Sequence, residues 1–233
     1  LKNEKLELID KAYSLFLIAQ HERKNNFFKK EISYLKKAHQ NLFNSQLHLN
    51  NELLNYWTNV ISKKYDKFKF TDNYTDNELI NFNPIFIIGL PRSGSTMVEA
   101  ILSSGDTNVD NFGETNMFNG ALLSTHNLLR NKEHYKIDLN LIKRTIKNFI
   151  EYENAHKTKN KIFTDKSLEN FFYIEIILKI FPKAQFINTF RNLEDNVFAI
   201  FQQAFLKMSW TNSIEHILEY IDNYLKVINY FKN

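Results

Sequence analysis

The stretch that most constrains this chain is the apolar run Pro84-Ile85-Phe86-Ile87-Ile88-Gly89-Leu90, followed directly by Pro91-Arg92-Ser93-Gly94-Ser95-Thr96. A continuous apolar run with β-branched residues predicts a strand buried on both faces. Two glycines five apart, with a Ser-Thr pair after the second, predict a tight loop that opens a helix over 95–104. That helix is expected to carry Met97, Val98, Ile101 and Leu102 on one face. Such a loop aims the backbone N–H groups of a helix N-terminus at one spot, which favours an anion. Loops that hold a nucleoside triphosphate place Lys after the second glycine, where it reaches the outer phosphates. Here that position is Ser95, and the cation sits inside the loop as Arg92. The loop is therefore suited to one phosphate and lacks the lysine that holds a triphosphate with its magnesium.

Two more strand-loop-helix units follow. Lys161–Thr164 leads through Asp165-Lys166-Ser167 into a helix that Pro182 ends, with Ser167 as the expected N-cap. Ala184–Phe190 leads through Arg191-Asn192 into a helix reaching about Lys207, and 212–231 reads as a last amphipathic helix. Alternating strands and helices predict an α/β fold, a P-loop-type parallel sheet flanked by helices. Upstream, residues 1–66 are patterned as helices, with a turn at Lys24-Asn25-Asn26 and a third helix over about 51–65. Ala19 and Ala38 at closely packed positions resemble one tetratricopeptide-type hairpin, a cap or the stump of a longer array; a generic helical hairpin fits equally. Residues 67–83 are polar and read as a linker, leaving 84–233 as the α/β domain, one expected to be truncated at its C-terminus.

Composition narrows the chemistry. The chain has no cysteine, and none of its seven histidines are paired at metal-ligand spacing, so neither thiol nor metal chemistry is expected. A net charge of +4 spread along the chain does not single out nucleic acid. Of 30 basic residues only Arg23, Arg92, Arg130, Arg144 and Arg191 are arginine. Two of them, Arg92 and Arg191, follow the two clearest strands, where a planar guanidinium suits phosphate. No apolar run approaches the roughly 20 residues that span a bilayer. No secretory leader is visible at the start, which gives a cytoplasmic expectation.

Four blocks together resemble a known family. Gly89 to Thr96 resembles the 5′-phosphosulfate loop of sulfotransferases that use 3′-phosphoadenosine 5′-phosphosulfate (PAPS). Phe112-Gly113-Glu114-Thr115 is similar to the strand-plus-glutamate segment of tyrosylprotein sulfotransferases and their bacterial repeat-bearing relatives. Thr164-Asp165-Lys166-Ser167-Leu168-Glu169-Asn170-Phe171 resembles their T-D-K-x-x-x-N-F segment, and Phe181 to Val197 their F-P-x-A…R-x-x-x-D-x-V segment. The resemblance implies that Arg92, Ser93, Gly94, Ser95 and Thr96 hold the 5′-phosphate and sulfuryl group, and Arg191 the 3′-phosphate. It implies Glu114 as general base, with Lys166 and Arg92 neutralising the departing phosphate. The acceptor would be a hydroxyl of protein tyrosine, sugar or lipid. The chain departs from the pattern at Ala199, where a serine is usual, and at Gln203, where some relatives have arginine. Two other readings stay open: a P-loop nucleotide or small-molecule kinase, and a decayed binding module whose helices recruit a protein partner.

Overall fold

A computed structural model describes residues 2–70, 78–105, 109–126, 136–155 and 160–232. In chain order the regular elements are α1 (Lys2–Lys24), α2 (Phe28–Ser45), α3 (Leu47–Asn55), β1 (Lys69–Phe70), β2 (Ile85–Gly89), α4 (Ser95–Ser103) and β3 (Val109–Asn111). Then come α5 (Met117–His126), β4 (Lys136–Ile137), α6 (Leu139–Ala155), β5 (Ile162–Asp165), α7 (Ile174–Ile180), β6 (Gln185–Thr189), α8 (Leu193–Phe201) and α9 (Ile214–Phe231). The chain forms two compact units, one from Leu1–Asn59 with Asn192–Asn223, the other from Val60–Arg191 with Tyr224–Asn233.

The first unit is helical. Asn26, at φ 61°, turns the chain between α1 and α2, a left-handed conformation that asparagine tolerates. Ala12, Ala19 and Ala38 are fully buried, and their small side chains let α1 and α2 pack closely. His39 of α2 is also buried: its Nε2 lies 2.7 Å from the Phe201 carbonyl, and its ring stacks on Phe201 at 4.4 Å. Trp210 stacks on Tyr220 at 3.8 Å, and Tyr220 meets Trp57 edge-on at 6.4 Å. The unit therefore joins the N-terminal helices to residues more than a hundred positions away.

The second unit holds a four-stranded, all-parallel sheet in the order β3-β5-β2-β6, and a separate parallel pair, β1 with β4. Strand β2 is the central apolar run, and only its first residue is partly exposed. Its Phe86 lies 5.7 Å from Phe118, 6.3 Å from Phe181 and 5.6 Å from Phe186. Phe163 of β5 stacks on Phe112 at 4.5 Å. Aromatic pairs of this kind add about 0.5–1.5 kcal/mol each beyond area burial, so the phenylalanines that flank the sheet hold its strands in register.

Several elements differ from the pattern-based expectation. The third helix ends at Asn55 and continues as a π turn over Tyr56–Val60, where the Thr58 hydroxyl donates back to the Leu54 carbonyl at 3.0 Å. Residues 71–77 of the expected linker lie outside the described residues, and Lys69–Phe70 forms a strand. Leu168–Tyr173 is a 3₁₀ turn rather than α-helix, and Asn170 through Tyr173 are buried consecutively, so the turn is enclosed on all sides. The helix expected to reach Lys207 stops at Phe201, after which the Gln202 side chain donates to Glu31 at 2.9 Å.

Candidate functional site

In a parallel sheet the loops after the strands' carboxyl ends gather along one edge, where ligands of open α/β sheets bind. All four strands of the main sheet carry a candidate residue there. β2 runs into Arg92–Thr96, β3 into Glu114, β5 into Lys166 and β6 into Arg191. Gly89 pairs with Thr189, so Arg191 leaves β6 on the same edge as the phosphate loop leaves β2.

The loop after β2 needs its glycines. Gly89 sits at φ 145°, and a Cβ there would stand 2.5 Å from the Thr189 carbonyl oxygen. Gly94, at φ 97°, caps α4, and nothing lies within 4 Å of where its Cβ would be. That open side is where an anion could approach the first turn of α4. Arg92 also takes a left-handed conformation, φ 67°, uncommon for a residue with a side chain, and it is exposed. The Ser93 hydroxyl donates to the Leu90 carbonyl at 2.7 Å and lies 2.7 Å from Thr189 Oγ1. That hydroxyl braces the loop against β6 instead of standing free for a ligand. Ser95 is buried at the start of α4, and Thr96 is exposed.

Helix α4 turns a different side inward than its apolar residues suggest. Met97 and Ile101 are 66% and 62% exposed, whereas Ser95 and Glu99, one turn apart, are buried. The reason is polar. Glu99 Oε1 accepts from Thr164 Oγ1 at 2.9 Å and from the Gly113 backbone N–H at 3.2 Å, and Glu99 Oε2 stands 4.0 Å from Lys166 Nζ.

Glu114 and Lys166 meet. Lys166 Nζ donates to Glu114 Oε1 at 2.8 Å, and the Lys166 backbone N–H donates to the Gly113 carbonyl at 2.9 Å. Gly113, at φ 70°, takes a turn that glycine favours. The lysine chain is 11% exposed and the Glu114 chain 61%, so the ammonium is held inside while the carboxylate faces out.

Behind the pair is buried Asp165, which accepts from Thr115 Oγ1 at 2.5 Å and from the Ser167 N–H at 2.7 Å. Burial, the larger effect, raises its pKa against those hydrogen bonds. Ser167 begins the 3₁₀ turn without capping it; its hydroxyl accepts from the Asn116 N–H at 2.7 Å. Glu169, three residues after Lys166, is pushed up to about 7, first by burial and then by the charges of Asp165 and Glu114. Among the described residues no cluster of His, Cys, Asp or Glu is arranged to hold a metal ion. No described helix is long and apolar enough to cross a membrane.

Pattern reading missed Glu99, Thr164, Thr189 and Glu169. A charge at Glu99, inside an otherwise apolar helix, was the one visible signal. Ala199 lies in α8 and Gln203 just beyond it, both in the first unit.

An uncharacterized protein of Aquifex aeolicus (strain VF5) is 28% identical over 151 residues, covering 61% of this chain and 20% of that protein. The chain thus spans about a fifth of the length of the curated relative it matches. No solved structure matches the chain. The sulfotransferase family profile matches residues 84–232, a range holding the phosphate loop, Glu114, Lys166 and Arg191, and the chain belongs to the sulfotransferase family.

Proposed function

We propose that the carboxyl edge of the β3-β5-β2-β6 sheet transfers a sulfuryl group from PAPS to an acceptor hydroxyl, with Glu114 as general base. The observation that carries this reading is the placement of Arg92, Lys166 and Glu114 on one edge, with the base and the lysine 2.8 Å apart. The acceptor O–H gives its proton to the Glu114 carboxylate while its oxygen bonds to sulfur. The bond from sulfur to the bridging oxygen breaks, and adenosine 3′,5′-bisphosphate departs with that electron pair. Arg92 and Lys166 offset the charge it gains, and the transfer draws on positioning and charge rather than on a covalent intermediate.

For this to run, Lys166 turns from Glu114 toward the bridging oxygen, which frees the carboxylate as the leaving group acquires its cation. The backbone of Arg92–Thr96 and the start of α4 hold the 5′-phosphate, with the Ser95 and Thr96 hydroxyls, while Ser93 braces the loop. Arg191 takes the 3′-phosphate. Ser95 in the lysine position of triphosphate loops makes a kinase the weaker reading. The α1–α2 hairpin is read as a tetratricopeptide-like element facing a protein partner.

The test is transfer from ³⁵S-labelled PAPS to a panel of tyrosine peptides, sugars and lipids, comparing the protein with Glu114→Gln. The reading requires labelled product with at least one acceptor and a loss of about 10²–10⁴-fold in the variant. Transfer that Glu114→Gln leaves intact would remove Glu114 from the mechanism. ATP-dependent phosphorylation of the same panel would favour the kinase.

A further inference from the structure

We propose that Glu99 is a positioning residue for this chemistry: its buried carboxylate ties Lys166 and the Glu114-bearing loop to α4, the helix that follows the phosphate loop. The inference rests on the sulfuryl-transfer reading above, but its geometry stands apart from it.

Glu99 reaches three elements at once. Oε1 accepts from the Thr164 hydroxyl of β5 at 2.9 Å and from the Gly113 N–H at 3.2 Å, next to Glu114. Oε2 lies 4.0 Å from Lys166 Nζ. Its side chain is 4% exposed, against 61% for Glu114. A buried carboxylate without partners would be costly, and two donors plus one cation explain why this one is tolerated.

The arrangement gives Lys166 two counter-ions of different kinds. Glu114 is solvent-facing and must be released before it can take a proton. Glu99 is buried and held in one orientation by Thr164 and Gly113, so it stays. When Lys166 turns toward a leaving group, Glu99 remains as the buried counter-ion that keeps its ammonium beside α4. The Gly113 bond meanwhile keeps the base-bearing loop in register with that helix. The carboxyls near the lysine are Glu99 from α4, Glu114 from the loop after β3, Asp165 beside it in the chain and Glu169 from the following turn.

The rate at which Lys166 is acylated at one fixed pH, relative to the other lysines and read by mass spectrometry, tests this without nucleotide. Glu99→Gln keeps the side chain's length and its carbonyl acceptor but removes the charge. Relative labelling of Lys166 is expected to rise several-fold once the ammonium loses its buried partner, with Glu114→Gln raising it separately. If Glu99→Gln does not fold, Thr164→Val, which removes a donor that orients the carboxylate, is expected to raise the labelling by a smaller factor. Labelling unchanged in the folded variant, while Glu114→Gln still raises it, overturns the proposal. Failure of adenosine 3′,5′-bisphosphate to bind the wild type would instead sink the sulfuryl-transfer reading and leave the Glu99–Lys166 coupling as measured.

Discussion

Lys166 and Glu114 are hydrogen-bonded at 2.8 Å, yet one side chain is nearly enclosed and the other mostly in water. A pair of that kind contributes little to stability, because solvent screens the exposed partner. Glu114→Gln is therefore expected to change unfolding free energy by less than about 1 kcal/mol, measured by chemical denaturation. Sulfuryl transfer by the same variant is expected to drop by orders of magnitude. A variant that loses stability and activity together would make Glu114 a structural residue.

Gly89 is a sharper structural test. A Cβ would meet the Thr189 carbonyl at 2.5 Å and the Thr189 hydroxyl at 2.7 Å, at a φ of 145°. Neither backbone can move without disturbing the β2–β6 pairing. Gly89→Ala should cost at least about 1–3 kcal/mol from backbone strain alone, seen as a lower denaturation midpoint. Thr189→Ala should recover only the part due to the hydroxyl.

How much of this was legible in the residues differs by element. The run from Pro84 to Leu90 and the glycines after it placed β2, the loop and α4 almost to the residue, because burial and turn chemistry are local. Arg191 was marked by its place after a strand, whereas Glu114 and Lys166 were legible only through resemblance, since their meeting depends on strand order. Strand β3 is three residues long, and β1 and β4 are two each, too short to show a period. The inward face of α4 was misread because apolar residues normally mark the buried side, and here Glu99 does so through Thr164, Gly113 and Lys166. The pairing of the N-terminal helices with residues 192–223 left no local trace at all.

Glu169 gives the site a pH signature. Its folded pKa of about 7 lies above the ordinary 4.5. Between those values the folded protein holds a proton that the unfolded chain has lost, so this group's contribution to stability falls as pH rises through 4.5 to 7. Glu169→Gln should raise the melting temperature at pH 8 by on the order of 10 °C and leave it unchanged near pH 4. An equal effect at both pH values would contradict the assignment.

His39 pulls the other way in the helical unit. Burial lowers its pKa from 6.5 more than its bonds to Phe201 and Asn212 raise it. The unfolded chain gains a proton below 6.5 that the folded protein resists, so this contribution is lost as pH falls through that value. Melting curves from pH 8 to 5 should lose part of their acid slope in His39→Gln. A slope identical to wild type would mean that His39 is protonated in the fold.

The central claim is that the loop from Gly89 to Thr96 holds the 5′-phosphate of an adenosine 3′,5′-bisphosphate rather than a triphosphate. Calorimetric titration of adenosine 3′,5′-bisphosphate into wild type and Arg92→Ala, beside ATP with magnesium, measures this directly. The account predicts one-to-one binding of the bisphosphate to wild type, at least about tenfold weaker binding to Arg92→Ala, and weaker binding of ATP with magnesium. No binding of the bisphosphate at millimolar concentration, or tighter binding of ATP with magnesium, would contradict it.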